Sequence, residues 1–78
     1  MKTQTRPLHV IANEIFKDWK NVSPYAKPYL DAMFNLSSID DNYICDSGRS
    51  VVLYFLSNAR GWKGETAKRV KSELKSMC

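Results

Sequence analysis

The chain has 78 residues, 44% of them hydrophobic and 26% charged, with a net charge of +4. A chain this short buries only about 60–65% of its unfolded surface, so one domain without a large interior active site is expected. The aromatic content of 12% argues against disorder, and the longest apolar run, Val51 to Leu56, falls far short of the ~20 residues of a membrane helix.

In chain order, the first periodic segment is PLHVIANEIFKDWKNV. Leu8, Ile11, Ala12, Ile15, Trp19 and Val22 recur at steps of three and four, with Phe16 beside them. This predicts a helix from about Pro7 to Asn21, with Thr5 as N-cap, Pro7 in the first turn and residues 1–6 as a flexible lead-in. The next segment, VSPYAKPYLDAMFNLSSI, opens on a Ser23-Pro24 start signal. Pro28 complicates it, because proline lacks an N–H and disfavours helical geometry at Lys27. Either Ser23 to Lys27 is a separate turn and the helix begins at Pro28, or Pro28 bends the helix. Tyr29, Leu30, Met33, Phe34 and Leu36 carry the pattern to an end near Leu36 to Ser38.

The linker SSIDDNYICDSG is rich in residues whose side chains favour turns. Asp46 or Ser47 then caps a third helix, GRSVVLYFLSNAR. Its β-branched and aromatic residues would also suit a strand, but no second strand pattern offers a partner, and Val52, Phe55, Leu56 and Ala59 keep helical spacing. Gly61 stands where a C′ glycine would close that helix. The helix is apolar all round, which predicts that it is the most buried, with Phe55 and Leu56 in the core. The last segment, GETAKRVKSELKSM, carries a narrow stripe of Ala67, Val70, Leu74 and Met77. The prediction is an all-α fold, a compact bundle of four helices with no sheet.

Charge is unevenly placed. Met1 to Ala59 holds six Lys and Arg against six Asp and Glu, whereas Arg60 to Cys78 holds six bases against Glu65 and Glu73. The whole excess sits in the last quarter. Arg60, Lys63, Lys68, Arg69, Lys71 and Lys75 form a candidate basic surface for nucleic acid or an acidic partner, with an ordinary solvated helix face as the alternative. Glu65 and Arg69, four apart, form a candidate pair along the helix. Gly61 and Gly64 flank Trp62 and Lys63, but a phosphate-binding loop needs another spacing and a preceding strand. The better reading is a turn with Trp62 as an apolar plug and Gly64 opening the last helix. A weaker reading makes that helix start, beside Lys63 and Arg60, a generic anion site, with Glu65 competing for it.

Four tyrosines, Tyr25, Tyr29, Tyr43 and Tyr54, are many for this length. Tyr25, Tyr29 and Tyr43 form, with Trp62, a candidate aromatic contact patch, because Tyr and Trp dominate binding hot spots. Asp40, Asp41, Asn42 and Asp46 lack the register of a calcium loop, having Ile44 and Cys45 where a ligand and a glycine belong. They read as turn residues. His9 has no Ser or Cys partner nearby in sequence, and two distant cysteines with one histidine make no plausible metal site. Neither enzymatic activity nor a cofactor is expected. The start has no continuous apolar stretch of a secretory signal, and Cys78 is the last residue, so reduced thiols in a cytoplasmic compartment are expected.

At IANEIFKDWKNVSPYAKPYLDAM and SVVLYFLSNARGWKGETAKRVKSELK the chain resembles a family of short, uncharacterised proteins encoded by tailed bacteriophages and prophages. The resemblance spans about Ile11 to Lys75, with the linker least distinctive. It brings no set of catalytic or binding residues. It implies a small phage accessory protein in the cytoplasm of a bacterial host, of a kind that often binds and inhibits host machinery, including defence systems. The favoured expectation is non-catalytic binding to a host protein or protein–nucleic acid complex. The alternatives are a nucleic-acid binder using the last helix, and a sponge that sequesters small anionic nucleotides between protomers, using Arg60, Lys63 and the tyrosines.

Overall fold

A computed structural model describes residues 6–43 and 46–78. Its helices are α1 (Leu8–Asp18), α2 (Lys27–Met33), α3 (Gly48–Ser57) and α4 (Glu65–Met77), and the fold is all-α as predicted. One small element was not legible in the linker. Strands β1 (Asn42–Tyr43) and β2 (Asp46–Ser47) pair antiparallel, Asn42 with Ser47 and Tyr43 with Asp46. Two-residue strands are too short to carry an alternating pattern, which is why sequence periodicity misses them.

Each helix packs on its neighbours in chain order, α1 on α2, α2 on α3, α3 on α4, and α4 back on α1. The ring puts α2 and α4 on opposite sides of the bundle. The core it encloses includes Leu8, Ile11, Ala12 and Ile15 of α1, Leu30 and Met33 of α2, Val52 and Phe55 of α3, and Val70 and Leu74 of α4. These are the apolar stripes of the four periodic segments, buried because each helix can hide only one face.

The ends of the helices differ from the expectations. No side chain caps α1, and Thr5 lies outside the described residues. Instead the first-turn N–H groups of Leu8 and His9 donate to the carbonyls of Ser37 and Leu36, at 3.0 and 2.9 Å. Donors that no intrahelical acceptor reaches are thus satisfied by a distant segment. The same happens at Arg6, expected in the flexible lead-in: its guanidinium is held by Glu14 and Glu73. Of the two alternatives at Pro28, the separate turn is the observed one. Ala26 and Lys27 N–H both donate to the Ser23 carbonyl, and Pro28 falls in the first turn of α2, where its missing donor costs nothing. α2 stops at Met33, short of the expected end, and the chain continues through a turn to Leu36.

Ser47 is the N-cap of α3, its hydroxyl accepting from the Ser50 N–H at 3.2 Å. The helix closes at Asn58 rather than at Gly61. Asn58 donates its side-chain amide to the Tyr54 carbonyl at 2.8 Å, and Gly61 does not adopt a left-handed conformation. Nor is α3 buried all round. Leu53 and Tyr54 are exposed, and Leu56 is only partly buried while Phe55 is fully so. A bundle this small has no position with neighbours on every side. Gly48 is the glycine that packing demands, since a Cβ there would lie 2.5 Å from the Ser38 carbonyl oxygen and 2.8 Å from the Ile39 Cα. Gly64 has φ +112° and is the N-cap of α4.

Candidate functional site

The basic segment divides into two flanks. Arg69 and Glu73, one helical turn apart, face α1. Arg6 grips Glu73 through two hydrogen bonds, from Nε at 2.9 Å and Nη2 at 2.7 Å, and also donates from Nη2 to Glu14 Oε1 at 2.8 Å. Arg69 Nη2 donates to the other Glu14 oxygen. The four side chains close an Arg–Glu network across the α1–α4 seam. Hydrogen bonds from Arg6 first, and from Arg69 second, hold the Glu14 carboxyl below its ordinary range, and Glu73 and Glu14 raise the Arg6 guanidinium. The expected Glu65–Arg69 pair along α4 is not formed, because Arg69 is engaged by Glu14 instead.

The other flank carries Lys68, Lys71 and Lys75, at steps of three and four, with Lys63 below them in the turn. Among the described residues, no ion pair engages any of the four. Lys71 is anchored: its ammonium donates to the Trp62 carbonyl at 2.6 Å and lies 5.9 Å from the centre of the Trp62 ring. Partial burial, then the charges of Lys75 and Lys63, lower its pKa. Lys63, Lys68 and Lys71 border a shallow groove of about 270 Å³ with Trp62, Gly64 and Ala67. Arg60 is exposed in the α3–α4 turn.

Trp62 does not belong to an exposed patch. It is 2% exposed, stacks on Trp19 at 5.9 Å, meets Phe55 edge-on at 6.4 Å, and donates its indole N–H to Asp18 at 2.8 Å. The turn between the glycines is therefore an anchoring plug, with its one polar atom satisfied at the surface.

The tyrosines separate as well. Tyr25 is 75% exposed, ahead of α2. Tyr29 is half-buried and stacks on Tyr54 of α3, ring centres 5.4 Å apart, with Tyr54 52% and Leu53 47% exposed. Tyr43 lies in β1, and its side chain is outside the described residues. On the other edge of α2, Phe34 meets Phe16 of α1 edge-on at 6.2 Å, and Phe16 is 56% exposed. Between these pairs the outer stripe of α2 carries Lys27 and Asp31, paired at 3.7 Å. The α2 side of the molecule thus presents aromatic rings around a self-neutralised ion pair, and the α4 side presents the lysines. Sequence reasoning missed Tyr54, Leu53, Phe16 and Phe34 as surface groups. The available signal was that an all-round apolar helix in so short a chain must leave one face outside.

Among the described residues, the groove that Lys63 borders contains no tyrosine, so a nucleotide held by Lys63 and a tyrosine together would need a second copy of the chain. Asp41, of the acidic linker cluster, accepts the backbone N–H groups of Ser37 and Ser38 at 2.8 and 3.2 Å, a turn-forming role. Cys78 is a free, exposed thiol, and Cys45 lies outside the described residues. Among the described residues, no helix is long and apolar enough to cross a membrane. No protein-family model, curated protein or solved structure matches the chain.

Proposed function

We propose that this chain is a non-catalytic binding domain, made in the cytoplasm of a bacterial host, that docks on a host protein or protein–nucleic acid complex and inhibits or redirects it. The observation that carries the reading is the stack of exposed Tyr54 on half-buried Tyr29, with exposed Leu53, on the α2–α3 side. Rigid aromatic rings held against a helix offer a large contact area at low conformational cost, the composition of an interface anchor. Their surroundings favour a folded protein over a charged ligand, because Lys27 and Asp31 neutralise each other on the same side. The phage context comes from the resemblance described above.

The test is affinity capture with a tagged chain from infected bacteria, run in parallel with L53S/Y54A and with a lysine-flank variant, K63Q/K68Q/K75Q. A defined host protein that is retained by the wild type and the lysine variant and lost with L53S/Y54A supports the reading. Capture of the same proteins by all three overturns it. So does sedimentation showing that the aromatic side pairs two copies of this chain.

A further inference from the structure

We infer that the row Lys63, Lys68, Lys71 and Lys75 is a docking strip for the phosphodiester backbone of a nucleic-acid duplex, contacted without reading its sequence. This goes beyond the protein-binding reading and uses the opposite side of the molecule. Charge is segregated on α4. Both acids of the α1–α4 seam, Glu14 and Glu73, are consumed by Arg6 and Arg69, whereas the lysines on the other flank pair with no acid among the described residues. Glu65, exposed at the first position of α4, is the acid of α4 left outside that network. From Lys68 to Lys75 the strip runs about 10 Å along the helix, and Lys63 extends it past the start.

This arrangement works against the isolated fold. Like charges one turn apart repel, and the depressed Lys71 reports that repulsion from Lys75 and Lys63, after burial as the larger cause. A polyanion removes the repulsion and releases its own counterions.

The surroundings of the strip favour one polyanion over the others. An anionic membrane would draw in the apolar face of a basic helix, but Ala67, Val70 and Leu74 of α4 are sealed in the core. A protein interface core is depleted in lysine and enriched in arginine and aromatic groups, the reverse of this flank. A single strand would use aromatic platforms for its bases, and the aromatic residue at this groove, Trp62, is buried with its carbonyl held by Lys71. What remains is a regular array of phosphates. Lysine binds phosphate as a point charge, and the strip offers no arginine, asparagine or glutamine for base edges.

The experiment is fluorescence anisotropy with a short mixed-sequence DNA duplex, from about 50 to about 200 mM salt. K63Q/K68Q/K75Q is compared with K17Q/K20Q/K27Q, which removes the same charge from α1, the turn after it and the start of α2, outside the lysine row. Lys71 is left intact because it supports the turn. The expected result is salt-dependent duplex binding that the lysine-row variant weakens at least tenfold, its salt slope falling by about 2.7 for three lost phosphate contacts, with the other variant close to wild type. L53S/Y54A should bind the duplex normally, which separates this inference from the protein-binding one. The inference is overturned by absence of duplex binding at micromolar protein in low salt, by equal losses in both lysine variants, or by tighter binding to a single strand. Binding to vesicles of phosphatidylserine and phosphatidylcholine with higher affinity than to duplex overturns it too.

Discussion

Replacing Trp62 with alanine tests whether the turn between α3 and α4 is a structural anchor rather than a contact residue. The indole is 2% exposed and touches Trp19 and Phe55, so its removal leaves a cavity where α1, α3 and α4 converge. A buried aromatic ring hides 150–250 Å², and truncation of such a residue costs about 3–5 kcal/mol. The Asp18 carboxylate is at an exposed position and regains water when the indole N–H is lost, so little is added for it. A domain of this length is stable by about 4–12 kcal/mol. W62A should therefore lose a quarter or more of its stability, and W62F, which keeps one ring but empties part of the indole's space, about 1–2 kcal/mol. Urea denaturation followed by far-ultraviolet circular dichroism reads both values. A W62A loss below about 1.5 kcal/mol, or tryptophan emission in W19F typical of a water-exposed indole, would refute the anchor and return Trp62 to the surface.

The glycines should respond unequally. Gly48→Ala forces a Cβ into the backbone at Ser38 and Ile39 and should cost more than about 2 kcal/mol. Gly64→Ala meets no atom but is strained at φ +112°, costing about 1–3 kcal/mol, while Gly61→Ala should be near neutral in the same melts. Glu14 has a folded pKa below the ordinary 4.5, so its contribution is complete above about pH 5 and fades as the pH falls through the lower folded value. Glu14→Gln should lower stability at neutral pH by about 1 kcal/mol and flatten its decline in acid, measured by urea titrations across that range. L53S/Y54A, by contrast, alters exposed side chains and should keep the fold's cooperative thermal transition, with a stability change of no more than about 1 kcal/mol.

The sequence by itself determined the helical class and the core stripes. A step of three and four puts Leu8, Ile11 and Ile15 on one face whatever else the chain does, and the same holds for Val70 and Leu74. Spacing also assigns the lysines and the Arg69–Glu73 pair to different sides of α4, a division that the expectation of one basic surface including Arg69 passed over. Tertiary structure decided what each flank meets. Glu14, on another helix, takes Arg69 from its neighbour Glu65, and no local rule specifies a partner 55 residues away. The donors of α1 find their acceptors at Leu36 and Ser37 for the same reason. Composition makes Trp62 and Tyr54 look alike, two aromatic residues suited to core or contact. Which one became the plug and which the surface stack followed from where the ring of four helices closed.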